Sequence, residues 1–143
     1  MDSRLLNILL DSFPRILLPG LTMTLPLTAI AFSIAMVIAV AAALAQFARV
    51  PVITQICRLY IWIFRGTPLL VQLFVVFYGL TKVGITLAPF PAAVLVFSLN
   101  EGAYCAETVR ASLEAVPAGQ LEAGLCAGLS YLQTMRRIIL PQA

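Results

Sequence analysis

The chain has 143 residues, 62% of them hydrophobic and only 10% charged, with a formal net charge of +3 and no histidine. A soluble domain is about 45–50% apolar and about 25% charged, so this composition excludes a surface that water would accept and points to the bilayer as solvent. The nine basic residues are scattered, which argues against nucleic acid, and Cys57, Cys105 and Cys126 make neither a CxxC pair nor, without histidine, a zinc site.

The leader carries Asp2 and Asp11, and no small-residue cleavage site follows it. A secretory signal has an apolar region of only about 7–15 residues, so the N-terminus is expected to be mature protein. The longest run without a charged residue, Ile16 to Ala48, is 33 residues. About 20 suffice to cross the hydrocarbon layer. Pro14, Pro19, Gly20 and Pro26 crowd its start. They predict an interfacial approach, then a regular helix from about Leu27 to Phe47 within a span of approximately 21–48, closed by Arg49 and Pro51.

From Val52 to Phe64 the chain carries Arg58, Tyr60, Trp62 and Phe64, residues that favour the headgroup level. A break follows at Arg65-Gly66-Thr67-Pro68, and Leu69 to Leu80 is uncharged. That run is short for a crossing, so the second span, approximately 59–80, recruits residues before the break. The break has two readings: a turn with a cationic anchor at the interface, or a broken helix lining a cavity or gate.

Lys82 and Gly84 mark a short loop, and Pro89 and Pro91 open a third span, approximately 89–113, which ends in a polar stretch near Pro117. Asn100, Tyr104, Glu107 and Ala111 fall on one helical face. Glu107, Arg110 and Glu114 could pair along the surface of the helix end, and for Arg110 and Glu114 that is the expectation. Asn100 and Glu101 lie deeper, where polar groups face protein or water, so a substrate-facing role stands beside a structural one.

Ala118 to Arg137 is amphipathic, with Gly124 and Gly128 as a GxxxG and Leu121, Leu125 and Leu129 at i+4 spacing. An interfacial helix, a helix-packing face and a helix docking into a partner's groove all fit. A short helix over Ala118 to Ala127 is predicted, then a turn at Gly128 and a second helix into Ile138, with Leu121 and Leu125 as one apolar edge for the partner. Ile138-Ile139-Leu140-Pro141 begins a fourth span. The expected fold is therefore an all-α, polytopic helical membrane protein of about three spans. Arg49, Arg58, Arg65, Arg110, Arg136 and Arg137 fall on one side and Arg4, Arg15 and Lys82 on the other, so the N-terminus is expected outside.

Enzymatic chemistry has little to stand on. There is no histidine, and Lys82 lacks the glycine-rich approach of a nucleotide-binding loop.

Glu122-Ala123-Gly124, Gly128 and Ile138-Ile139-Leu140-Pro141 resemble the EAA loop (Glu-Ala-Ala, three residues, Gly, a spacer, Ile-x-Leu-Pro) of ATP-binding-cassette importer permeases. The departure is Gly124, where the motif usually holds Ala. Phe64 to Gln72, Ala103 to Arg110, Gly119 to Glu122 and Gln133 to Arg137 resemble the polar amino acid branch, which serves His, Gln, Arg and cystine-type importers.

The resemblance implies a permease subunit of the bacterial cytoplasmic membrane. Its cytoplasmic loop, 117–141, would couple to a separate ATPase subunit through Glu122, Ala123, Gly124, Leu125, Gly128, Leu140 and Pro141. It implies a second permease and an extracytoplasmic amino-acid-binding protein, with ATP and magnesium held by the ATPase rather than by this chain. Asn100, Glu101, Tyr104 and Glu107 would line the pathway, and Arg65 to Pro68 would form a gate. Members of the family carry about two further helices after the Leu-Pro. The chain is accordingly expected to be truncated, with a non-transporting scaffold that keeps only partner docking as the alternative.

Overall fold

A computed structural model describes residues 3–48 and 50–143, with side chains for residue 8, residues 10–48 and residues 50–143. Asp2 and Arg49, expected in the leader and at the end of the first span, lie outside the described residues, as does the Arg4 side chain. Among the described residues there are helices and no strands.

Helix α1 (Ser3–Pro19) passes through one π-helical turn (Gly20–Thr24) straight into α2 (Leu25–Phe47). This corrects the expected helix start at about Leu27, since the chain is already helical from Ser3. A proline inside a helix removes one N–H and collides with the carbonyl four residues back. The π turn admits one extra residue just before Pro26, and Leu25 N–H donates to Gly20 O across it. The same device recurs before Pro141. A π turn over Met135–Ile139 precedes α9 (Leu140–Gln142), with Leu140 N–H donating to Met135 O.

The stretch expected to hold the second span is two helices, α3 (Pro51–Gly66) and α4 (Leu69–Phe74), the latter continued by a π turn (Val75–Gly79) and α5 (Leu80–Lys82). The two halves meet at 104°. Thr67 and Pro68 are extended, with φ/ψ of −123°/141° and −62°/136°. Pro68 can neither donate in a ladder nor let Thr67 stay helical.

Helix α6 covers Pro89–Ala115. Among the described residues only Leu10–Phe47 qualifies outright as a membrane span by length and apolarity, and the bent pair qualifies when taken as one. Although α6 has 27 residues, about 40 Å, the polar groups of its second half keep it below that measure. The expected three spans thus differ in kind: one long apolar rod, one bent pair and one half-polar helix.

The core is made of small side chains. Ala31, Ala35, Ala39 and Ala43 form a buried stripe on α2, facing Ala92, Val96, Gly102, Ala103 and Ala106 of α6. Small residues at this spacing let two helices approach closely where lipid removes the usual hydrophobic driving force. Ile61 of α3 joins Ala39, Ala42, Ala103 and Ala106 in one cluster. The large residues of α2, among them Ile30, Phe32, Ile34, Val37 and Val40, are exposed, Val37 at 71%, as an apolar surrounding allows.

Candidate functional site

Two regions gather the candidate residues. The first is the segment after α6. Helix α7 (Ala118–Cys126) ends in a Schellman motif, where Leu129 N–H donates to Gly124 O at 3.1 Å and Gly128 N–H to Leu125 O at 3.0 Å. Gly128 has φ +81°, a conformation that a β-carbon resists.

Ser130 then opens α8 (Tyr131–Thr134) with a capping box. Its Oγ accepts from Gln133 N–H, and its own N–H donates to Gln133 Oε1 at 2.9 Å. Ser-x-x-Gln is the sequence signature of this box.

Gly124 is buried against Thr134. A β-carbon on it would overlap Thr134 Cγ2 and sit 2.8 Å from Oγ1. The GxxxG is therefore no two-glycine packing face: Gly124 packs and Gly128 turns.

Leu121 corrects a second expectation. It points inward, against the cluster of Ala43, Leu113, Met135 and Ile139, so it is not half of an outward edge with Leu125. Glu122, Ala123 and Leu125 remain on the outer face, Leu125 being 47% exposed. Glu122 has no hydrogen-bond or ion-pair partner among the described residues. Leu140 and Pro141 are also exposed, while Ile139 beside them is buried. The cluster ties the α7–α8 unit to the ends of α2, through Ala43, and α6, through Leu113.

The second region surrounds the break, and it divides the four pathway candidates. Asn100 and Glu101 line a cavity of about 360 Å³ with Thr28, Phe32 and Leu69. Glu101 is exposed there and accepts from Cys105 Sγ at 3.3 Å. Asn100 is engaged, its Nδ2 donating to Gln72 Oε1 at 3.1 Å and Phe64 O at 3.3 Å.

Tyr104 and Glu107 lie elsewhere, in an open groove of about 470 Å³ with Gln46, Arg58, Trp62 and Arg65. The Arg65 guanidinium carbon sits 5.2 Å from the Tyr104 ring centroid, within cation–π range. Arg110 bonds Glu107 and, at 2.6 Å, Glu114, so the ion pairs run along the helix surface. Gly66 and Pro68 are exposed. The sequence marks Tyr60 only as a headgroup-level aromatic and gives Gln72 and Thr134 no role of their own, because their contacts with Leu99, Asn100 and Gly124 arise only in the fold. Among the described residues no group of three or more His, Cys, Asp or Glu could hold a metal.

The chain is 47% identical over 133 residues to the L-cystine transport system permease protein TcyB of Bacillus subtilis (strain 168), covering 93% of this chain and 57% of that one. It is 40% identical over 141 residues to the probable amino-acid ABC transporter permease protein PatM of Vibrio harveyi, covering 96% and 62%. A crystal structure of an amino acid ABC transporter with histidines superimposes with a TM-score of 0.81 at 36% identity, over 93% of this chain and 62% of that one. The chain thus spans 57–62% of the length of these curated relatives. The pattern described as "Binding-protein-dependent transport system inner membrane component" matches residues 35–143, well over half of the chain. The chain belongs to that family of inner membrane components.

Proposed function

We propose that this chain forms the membrane-embedded permease part of an ATP-driven importer for a polar amino acid, and that α7 carries the drive from a separate ATPase subunit. The observation that carries the reading is the α7–Gly128–α8 unit. Its outer face offers Glu122, Ala123 and Leu125 to a partner, and its inner face is packed onto α2 and α6 through Leu121, Met135 and Ile139. A push on α7 therefore reaches two membrane helices directly.

In this reading the chain catalyses no reaction, and ATP and magnesium belong to the ATPase. A second permease, an extracytoplasmic amino-acid-binding protein and membrane lipid complete the assembly. The six-to-three distribution of basic residues supports an N-terminus outside and α7 in the cytoplasm. In this reading the spans lie at approximately 21–48, within the Leu10–Phe47 helix, 59–80, across the bend, and 89–113, with 117–141 as the cytoplasmic loop. The cavity beside Glu101 is the stretch of the pathway that this chain contributes, and the similarity to an L-cystine permease makes cystine the first substrate to test.

Interrupting the chromosomal gene is expected to remove uptake of one polar amino acid, measured with radiolabelled cystine, arginine, glutamine and histidine. Glu101→Gln should lower the same uptake without changing the amount of protein in the membrane. Unchanged uptake of all four after interruption would favour a non-transporting membrane scaffold.

A further inference from the structure

We propose that Gln72, with Asn100, is the positioning pair that holds the bend between α3 and α4 against α6, and that Asn100 acts through this clasp rather than as a substrate ligand. The last carbonyls of a helix have no donor within it. At the end of α3 these groups lie beside Pro68, which has no N–H to offer them.

Gln72 supplies the missing donors from the first turns of α4. Its Nε2 lies 2.9 Å from Phe64 O, 3.1 Å from Thr67 O and 2.8 Å from Thr67 Oγ1, so two amide hydrogens are shared among three acceptors. Thr67 Oγ1 in turn donates to Ile63 O at 2.8 Å. The Gln72 Oε1 accepts from Asn100 Nδ2, whose other hydrogen goes to Phe64 O.

One network therefore closes on α3, α4 and α6 together. A second tie lies beside it on α6: Tyr60 Oη donates to Leu99 O at 2.5 Å. Gly102 leaves the room for it, since a β-carbon there would stand 3.0 Å from Tyr60 Oη. Both donor hydrogens of Asn100 are spent within the protein, whereas its neighbour Glu101 is exposed to the cavity. The clasp sets the wall, and Glu101 faces the lumen.

The transport part of the test rests on the permease reading above; the distance part does not. Spin labels at Ile56→Cys and Val75→Cys, sites 62% and 63% exposed on either side of the bend, report its angle in a background free of other cysteines. Gln72→Met keeps the length of the side chain and removes its donors. It is expected to broaden and shift the distance distribution, and to lower the maximal rate of uptake about ten-fold with KM changed less than about two-fold. The exchanged pair, Gln72→Asn with Asn100→Gln, should restore the distance distribution and most of the uptake, which a residue contacting substrate would not allow. An unchanged distance distribution in Gln72→Met overturns the clasp. So does a KM raised about ten-fold by Asn100→Ala at unchanged maximal rate, because that marks lost substrate binding. A shifted distribution in a protein that proves to transport nothing supports the clasp and removes the permease reading instead.

Discussion

Glu122→Lys, introduced into the chromosomal gene, is expected to abolish substrate-stimulated ATP hydrolysis while the protein stays in the membrane at its ordinary level. Glu122 is exposed on the outer face of α7, and among the described residues it has no hydrogen-bond or ion-pair partner that its substitution would remove. In the proposed function its carboxylate meets a basic side chain or a backbone N–H of the ATPase subunit. With Leu121 turned inward, one leucine remains for the docking face, worth at most about 1.5–3 kcal/mol of burial. The charge then carries a large share of the contact. Reversing it inside a desolvated pair costs at least about 2 kcal/mol, roughly a 30-fold loss of coupling.

Gly128→Val should give the same loss by another route. A residue with a β-carbon at φ +81° costs roughly 1–2 kcal/mol, and a branched one resists further, so the turn that sets α7 against α8 is lost. Hydrolysis in inside-out vesicles, with and without loaded binding protein, reads both variants. Normal stimulation in both at normal ATPase stoichiometry would show that α7 is not the coupling element.

Gly124→Val is the second large effect. The added side chain collides with Thr134, which is fully buried and continues through Met135 and Ile139 into the cluster at the ends of α2 and α6. Overpacking of this kind costs about 1–3 kcal/mol. Because α7 is only nine residues long and exposed on its other side, it is the part that moves away. Uptake should fall about ten-fold in Gly124→Val and recover in part when Thr134→Ala is added, since alanine removes Cγ2 and Oγ1. If the double variant is as impaired as the sum of the singles, the two residues are not coupled.

Much of this was legible in the sequence because it depends on local rules. The proline pair at Pro89 and Pro91 starts α6, Gly66 and Pro68 interrupt the second segment, and Pro117 precedes α7. What was not legible depends on what each residue meets. Three prolines ahead of Leu27 argue for a late helix start, but a π turn absorbs Pro26 and the helix runs on. The i+4 leucines of α7 mark an apolar stripe without saying whether it faces the partner or the membrane helices; Leu121 faces the helices. Gly124 read alone is a slightly weakened helix position, and only Thr134 makes it a close contact. Gln72 closes the Phe64-to-Gln72 segment that resembles the polar amino acid branch, but its task is invisible until the bend brings it to Phe64 and Asn100.

In the proposed function α7 lies in the cytoplasm against an ATPase subunit. Ala123, exposed beside Glu122, takes a cysteine carrying a photoreactive benzophenone, with Cys57, Cys105 and Cys126 replaced by alanine. Illumination of native membranes, followed by mass spectrometry of the adduct, is predicted to join residue 123 to a nucleotide-binding subunit. Modification of Ala123→Cys by a membrane-impermeant maleimide added outside intact cells, with no such adduct, would contradict both the orientation and the coupling role.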